Sequence, residues 1–200
     1  RPTYGESTLA EILCKNHRPQ MATARPGIFK PAERDSSRKY EIKKEKIKLD
    51  PASIKKEIVK FIPRPSTDLT SAKAVVAGGL GLGQPDGLKM VEDLAKEINA
   101  AVGASRPIVD LGWITRDHQV GQTGQSVSPD LYVAIGISGK PQHTSGIKFS
   151  KVIVSVNVDP NAEITKFSDY IITEDYRKAV PAIINAIEDA KKGKKATQTA

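Results

Sequence analysis

Apolar runs and amphipathic stretches alternate along residues 70–192, and this alternation predicts an α/β domain. The apolar runs are rich in Val, Ile and Ala and predict strands at 72–79, 100–105, 130–138, 150–159 and 169–175. Uninterrupted runs of this kind are typical of strands that are buried on both faces of a parallel sheet.

Two helices are predicted among these strands. The first spans residues 86–100, where apolar residues recur at the spacing of one helix face. The second spans residues 177–191 and ends at 191–193, where two lysines followed by a glycine are typical of a helix C-terminus. Strands that alternate with helices indicate a doubly wound parallel sheet, so the predicted fold class is a Rossmann-like α/β domain.

The first third of the chain has a different pattern. Strands are predicted at 7–14 and 40–49, no long helix is evident, and prolines interrupt residues 57–65. Such a strand-rich segment is typical of one end of a larger domain.

This change of pattern predicts three parts. We interpret residues 1–66 as the C-terminal part of a second α/β domain with a linker, and residues 67–192 as a nucleotide-binding domain. Residues 193–200 are expected to form a disordered tail. Because the chain begins at Arg1 and not at a methionine, we expect it to be a fragment.

The net charge of +8 raises the question of nucleic-acid binding. Residues 1–70 contain 16 Lys/Arg and 9 Asp/Glu, whereas residues 71–192 contain 13 and 14. The basic excess therefore lies outside the domain with the clearest pattern. Its lysines alternate with glutamates and apolar residues, which favours a solvated face over a phosphate-binding surface. We expect no nucleic-acid partner.

Cys14 is the only cysteine, so the chain has no internal disulfide and no cysteine-based zinc site. Its neighbours Ile12 and Leu13 predict a buried thiol in a strand. A single thiol suits a reducing compartment, so we expect a cytoplasmic protein, or a mitochondrial matrix protein if the source is eukaryotic. The longest apolar runs are too short to cross a bilayer, so no membrane insertion is expected.

Glycines and polar residues follow the predicted strands, at the ends where doubly wound sheets bind ligands. The loop at 78–87 is rich in glycine, but Asp86 stands where the dinucleotide fingerprint requires its last glycine. A plain tight turn explains this loop equally well. The loop at 117–129 combines glycines, hydroxyls and amides, which suit a phosphate or the edge of a heterocycle.

These patterns predict a nucleotide-binding domain without specifying the nucleotide. The chain lacks a Ser-His-Asp order, a metal-ligand cluster and a Walker lysine, which argues against hydrolases and NTPases. A nicotinamide-dependent dehydrogenase domain stays open as an alternative, although the glycine fingerprint is incomplete.

Several long motifs resemble the electron transfer flavoprotein alpha family. They are "AVGASRPIVDLGW", "QVGQTGQSVSPDLYVAIGISG", "QHTSG" and "SKVIVSVNVDPNAEI", with "RPTYG" and "NHRPQMATARPGIF" resembling the end of that family's N-terminal domain. The resemblance covers nearly the whole chain. It implies an FAD-binding domain, and a beta subunit as the usual partner.

The resemblance also implies which positions contact FAD. These are Ser105, Arg106, Val120, Gly121, Gln122, Thr123, Ser138, Gly139, Lys140, Pro141, Gln142, His143, Asn157 and Asp175. No metal ligand is implied.

The resemblance implies that three of these positions adjust the reduction potential of the flavin. In the family, the residue matching Arg106 lies over the isoalloxazine, the one matching Thr123 reaches toward N5, and the one matching His143 sits at O2. A unit charge about 4 Å away is worth about 4 kcal/mol at an effective dielectric of about 20, which limits the effect on the first one-electron potential to roughly 170 mV. Leu80 departs from the family, which usually has arginine there, and so removes a phosphate or ring-edge contact.

The function implied by the resemblance is that of an electron carrier rather than an enzyme that makes bonds on its own. Its partners in the family are acyl-CoA dehydrogenases and a quinone-linked acceptor. An electron-bifurcating member, which oxidises NADH and holds a second FAD in the beta subunit, is the alternative within the family.

Overall fold

The computed structural model describes residues 2–3, 8–24, 32–46, 48, 50, 53–57, 59–60 and 69–198. In the first two of these ranges, strands β1 (Pro2–Thr3) and β2 (Thr8–Leu9) form a two-stranded antiparallel sheet. Most described residues from 11 to 60 lack regular secondary structure and are exposed. Where the structure describes it, this segment therefore contributes strands but no long helix, as predicted.

The main sheet begins with strands β3 (Ala74–Gly78) and β4 (Ala101–Ala104) and continues through β5 (Leu131–Ile135), β6 (Val152–Val156) and β7 (Tyr170–Ile172). All the pairings are parallel, and the spatial order is β4-β3-β5-β6-β7. Each strand lies within one of the predicted apolar runs. The predicted α/β class with a doubly wound parallel sheet is confirmed.

Helices α1 (Leu88–Glu97), α2 (Arg106–Asp110), α3 (Pro141–Thr144) and α4 (Tyr176–Gln198) connect or follow the strands. Short 3-10 helices span Leu80–Leu82, Pro85–Gly87, Arg116–His118 and Glu163–Phe167. Helices α1 and α4 pack against each other, and the Lys191 ammonium lies 2.6 Å from the Glu97 carboxylate.

Alternate side chains of the central strands enter two separate cores. Val76 and Val133 pack with α1 and α4 on one face, in a core that includes Val91. Val75 and Tyr132 point to the other face, which is covered by residues such as Val120, Ile147 and Ile164. Because both faces are buried, the central strands offer no exposed surface for a site, and the ends of the strands become the place for one.

Three predictions about the ends and the first third of the chain are wrong. Residues 40–46 and 48 do not form a strand, because no neighbouring strand pairs with them in the described part, and Tyr40 and Ile42 are exposed. Ile47 and Leu49 of that predicted strand lie outside the described residues. Cys14 is exposed and outside any strand, not buried.

The predicted end of the last helix is also wrong. Helix α4 continues past residue 191 through Gly193 to Gln198, and the disordered tail at 193–200 stays a prediction. A glycine inside a helix costs only about 1 kcal/mol, and the lysines and alanine around it favour helix. The proposed division at residue 66 stays a prediction, since the neighbouring residues 61–68 lie outside the described ranges.

Gly139 follows β5 and shows how tightly the loops at this edge of the sheet pack. Its φ is +87°, and a Cβ built there would overlap the backbone nitrogen of Ile164. Gly112 has a similar φ of +73° but open space around it. The two positions therefore share a left-handed backbone and differ in the room available to a side chain.

We expect Gly112→Ala to lower the free energy of unfolding by about 1 kcal/mol, the cost of a left-handed alanine. Gly139→Ala adds a backbone overlap, so its loss should exceed about 2 kcal/mol. Urea denaturation of both variants measures the difference. Equal losses would contradict the close packing of the loop after β5 against Ile164.

Candidate functional site

A cleft lies outside the carboxyl ends of four strands. The sheet changes winding direction between β3 and β5, because β4 lies on one side of β3 while β5, β6 and β7 follow on the other. Ligands of doubly wound sheets bind at such a switch point. The loops after β3, β4, β5 and β6 all contribute to the cleft wall.

The cleft has a volume of about 770 Å³, within the range of sites for small molecules and cofactors. Most of its exposed wall area is apolar, although twelve of the twenty lining residues have polar or charged side chains. The lining residues are Leu80, Gly81, Ser105, Arg106, Pro107, Gln119, Val120, Gly121, Thr123, Gly136, Ile137, Ser138, Lys140, Gln142, His143, Asn157, Asp159, Asn161, Ala162 and Glu163.

The structure brings most of the predicted site residues together around this cleft. Those on its wall are Ser105, Arg106, Val120, Gly121, Thr123, Ser138, Lys140, Gln142, His143 and Asn157. Gln122, Gly139 and Pro141 do not line the wall but are neighbours of residues that do. The backbone N–H of Gln122 donates to the carbonyl of Gln142 at 2.7 Å, joining the two predicted loops.

Asp175 is not on the cleft wall. It lies just before α4, where its carboxylate accepts hydrogen bonds from the backbone N–H and the guanidinium of Arg177. These hydrogen bonds lower the pKa of Asp175 to about 2. In this structure Asp175 caps a helix, and its predicted contact with a cofactor stays a prediction.

His143 is the most deeply buried charged or titratable group on the cleft wall, with 7% of its surface exposed. It belongs to α3, and its Nε2 lies 2.9 Å from the hydroxyl of Tyr132 on β5. Its Nδ1 is buried without a hydrogen-bond partner in the described structure.

Burial lowers the pKa of His143 to about 4, and the backbone of Val120 has a smaller effect in the opposite direction. The imidazole is therefore neutral at physiological pH. Burial also raises the pKa of Tyr132 well above its usual value, so the phenol keeps its proton. His143 on the cleft wall and Tyr132 behind it therefore form a neutral hydrogen-bonding pair.

The cations of the cleft wall lie at its mouth, and each has an acidic partner. The guanidinium of Arg106 is 3.0 Å from the carboxylate of Asp110, one turn further along α2. The ammonium of Lys140 is 2.7 Å from Glu163, which also lines the cleft. Both pairs are exposed to solvent, so they are easily rearranged when a charged ligand arrives.

Gln119 and Asn157 fix the loops that form the wall. The Gln119 side chain is buried and donates from Nε2 to the Thr123 hydroxyl at 2.8 Å, which leaves the hydroxyl proton available to an acceptor. Asn157 donates to the carbonyl of Ile137 at 3.0 Å and accepts from the backbone N–H of Asp159 at 3.0 Å. The loops after β5 and β6 are thereby tied together.

Sequence reasoning missed several residues of the wall. Gln119 and Gly136 lie within the quoted motif "QVGQTGQSVSPDLYVAIGISG", so their position in the chain was a usable signal. Asn161 and Glu163 come from the segment after β6, and only the three-dimensional path of that segment brings them to the cleft. Leu80 lines the cleft with 53% of its surface exposed, so an apolar side chain occupies the position where the resemblance implies an arginine.

Two family models match the chain. Residues 68–148 match the electron transfer flavoprotein FAD-binding domain, and residues 1–50 match the electron transfer flavoprotein domain. The chain belongs to the electron transfer flavoprotein alpha-subunit family. FAD is the cofactor of the domain that forms the cleft.

Known electron transfer flavoproteins and related subunits are similar over nearly the whole chain. The electron transfer flavoprotein subunit alpha of Thermoanaerobacterium thermosaccharolyticum is 43% identical, covering 96% of this chain and 58% of that protein. Protein FixB of Azotobacter vinelandii is 43% identical, covering 94% and 53%. The acryloyl-CoA reductase electron transfer subunit beta of Anaerotignum propionicum is 38% identical, covering 96% and 54%. The chain thus spans little more than half the length of these relatives.

None of the helices in the described residues is long and apolar enough to span a membrane. The described residues also contain no group of three or more potential metal ligands.

The lowered pKa of His143 predicts a loss of stability in mild acid. Unfolding restores the pKa to about 6.5, so the unfolded chain binds a proton that the folded protein resists. The contribution of His143 to the free energy of unfolding is therefore present at neutral pH and is lost as the pH falls from about 6.5 toward 4. The free energy of unfolding should be about 2 kcal/mol lower at pH 5 than at pH 7 because of this group.

The measurement is urea denaturation at both pH values. His143→Asn should reduce the difference between them, whereas His17→Asn, which changes an exposed histidine outside the domain, should leave it as in the wild type. An unchanged difference in His143→Asn would contradict the buried neutral imidazole.

Proposed function

We propose that this chain binds FAD in the cleft at the carboxyl ends of β3, β4, β5 and β6 and uses it as an electron carrier. The observation that carries the proposal is the position of the cleft at the switch point of a sheet whose domain belongs to the FAD-binding family. Its volume suits an organic cofactor. When bound, FAD supplies the redox chemistry by accepting and releasing electrons.

The residues of the wall divide by the chemistry that they offer. His143 and Thr123 present neutral hydrogen-bonding groups, and Arg106 presents a positive charge at the mouth. Val120 and Ile137 supply apolar surface against which a flat ring system packs. The proposed contacts at Ser105, Gly121, Gln122, Ser138, Gly139, Lys140, Pro141, Gln142 and Asn157 are mainly backbone or polar groups on the surrounding loops.

Arg106 is the proposed tuner of the potential. A positive charge near the flavin stabilises added negative charge and raises the first one-electron potential. The side chain is 63% exposed and paired with Asp110, so solvent and the carboxylate weaken its field. Its effect should therefore be well below the upper limit of roughly 170 mV that an unscreened charge at about 4 Å would give.

A second subunit is part of the proposal. Two of the relatives named above are subunits by name, which supports a beta subunit as the partner that completes the carrier. The relative named as a subunit of acryloyl-CoA reductase supports redox enzymes of CoA thioesters as electron donors or acceptors. A quinone-linked acceptor stays a proposal, as does the reducing, cytoplasmic compartment that the single cysteine suggests.

The choice of reductant distinguishes a simple carrier from the electron-bifurcating alternative. A carrier of the simple type is reduced by dithionite or by its redox partner but not by NADH. Reduction by NADH, together with two FAD per heterodimer, would favour the bifurcating type. A nicotinamide-dependent dehydrogenase has less support, because the matched domain is described as FAD-binding.

The proposal predicts a specific effect of Arg106→Ala. In the FAD-loaded heterodimer, loss of this charge should lower the first one-electron potential by tens of millivolts, about 20 to 60 mV for a screened charge. Arg116→Ala removes an exposed arginine that does not line the cleft and serves as the control. Asp110→Asn should shift the potential in the opposite direction, because it removes the paired negative charge.

Anaerobic reductive titration with redox indicator dyes measures all of these potentials. Equal potentials in Arg106→Ala and Arg116→Ala would exclude Arg106 as the tuner. Failure of the wild-type heterodimer to hold FAD would contradict the proposed function itself.

A further inference from the structure

An ion pair joins two loops of the cleft wall, and both of its members line the cleft. The ammonium of Lys140, in the loop after β5, lies 2.7 Å from the carboxylate of Glu163, in the segment after β6. Arg106 differs, because its partner Asp110 does not line the cleft. A ligand that fills the cleft therefore meets the cation and the anion of the Lys140–Glu163 pair together.

The two loops are held together by their backbones and do not depend on this ion pair. The backbone N–H of Ile164 donates to the carbonyl of Ser138 at 3.0 Å, and Gly139 packs so closely that a Cβ there would overlap the Ile164 nitrogen. The side chains of Lys140 and Glu163 are 66% and 41% exposed, and an ion pair this exposed to water adds little to stability. Lys140 can therefore change its partner while the backbone beneath it stays in place.

The formal charges of the side chains that line the cleft cancel. The cations are Arg106 and Lys140. The carboxylates belong to Asp159 and Glu163, and the imidazole of His143 is neutral. FAD carries its negative charge on its linked phosphates, whereas its oxidised ring system is uncharged. A phosphate that enters this cleft gains a cation only by taking it from a carboxylate.

Lys140 is the cation that suits this exchange. The proposed function places Arg106 near the ring system of FAD, which leaves Lys140 for the phosphates. A lysine ammonium is a point charge on a flexible stem, so it binds a phosphate without requiring a fixed direction of approach. Glu163 then opposes the ligand in two ways, because it competes for the ammonium and its carboxylate repels the phosphate.

We infer that Lys140 exchanges the carboxylate of Glu163 for a phosphate oxygen of the bound dinucleotide, and that Glu163 limits how tightly an anionic cofactor is held. The inference rests on the proposed function, since its ligand is FAD. It goes further by giving the Lys140 side chain a phosphate to bind and by making Glu163 a residue that sets affinity. The exchange changes the ion-pair partner of the ammonium and no covalent bond.

Two single substitutions should change FAD affinity in opposite directions. Lys140→Met should weaken FAD binding about threefold to tenfold, because it removes the cation that meets the phosphate. Glu163→Gln should tighten FAD binding about twofold to fivefold, because it releases Lys140 and removes the repulsion. Fluorescence titration of the apo alpha–beta complex with FAD measures both dissociation constants. Both changes should become smaller at about 1 M salt, where the screening length is about 3 Å.

A second ion pair beside the same two strands provides the matched control. Lys151 and Asp130 form an exposed pair just before β6 and β5, at the edge of the sheet opposite the cleft. Lys151→Met and Asp130→Asn should leave FAD affinity as in the wild type, because neither residue lines the cleft. Lys140→Arg keeps the charge and should bind FAD within about threefold of the wild type.

The double variant tests whether Glu163 acts through Lys140. In the Lys140→Met background, Glu163→Gln should tighten FAD binding less than it does in the wild type. Equal effects in the two backgrounds overturn the exchange of partners.

An ion pair that only holds the loops together would give weaker FAD binding in both single variants. That result, or unchanged FAD affinity in both, overturns the inference while FAD binding by the wild type keeps the proposed function intact. A wild-type complex that binds no FAD overturns the proposed function itself, and the inference with it.

Discussion

Burial of both faces of the parallel sheet is the constraint on which the rest of the structure depends. Successive residues such as Val75 and Val76 enter different cores, so the strands have no surface left for binding. Polar groups are consequently placed where strands end, and the reversal of winding between β3 and β5 opens a gap between those ends. Helices α1 and α4 seal the first core, while loops and short helices seal the second. The same loops form the cleft, so cofactor binding and core packing share residues.

The cleft separates two electrostatic environments. On its wall lies His143, which is hydrogen-bonded to Tyr132 behind it, and burial lowers the pKa of the imidazole so that this pair is neutral. Its mouth holds Arg106 and Lys140, whose charges are partly balanced by Asp110 and Glu163. A flavin bound across this gradient would meet hydrogen-bond donors at one edge and a screened positive field at another. Such a division allows geometry and potential to be tuned by different residues.

The sequence predicted the domain well because each strand of the main sheet is a continuous apolar run. The position of the site also followed, since polar residues after each strand meet at one edge of a parallel sheet. The individual contacts could not be predicted from the sequence. The carboxylate of Asp175 accepts a hydrogen bond from Arg177, and Glu163 lines the cleft only because of the path of the segment after β6. The first third was harder to predict, because the alternation around Tyr40 suggests a strand only when a neighbouring strand exists to pair with it.

The contact between Tyr132 and His143 could not be predicted from the sequence motifs. The place of Tyr132 in an apolar run identifies it as a core residue, and nothing in the run shows that its hydroxyl meets His143. That contact joins a strand to a helix that begins six residues after the strand ends, so it depends on how the intervening glycine turn packs. Polar atoms in the core carry information that hydrophobic periodicity does not.

The most direct test of the central claim is the identity and amount of the cofactor in the purified protein. The complete alpha–beta complex should show flavin absorption bands, and denaturation should release FAD. Substitution of the cleft wall by Gly121→Val, which places a side chain against the Gln142 carbonyl, should reduce the amount of FAD held. A complex that is colourless and takes up no FAD on titration would contradict the assignment of this cleft as the flavin site.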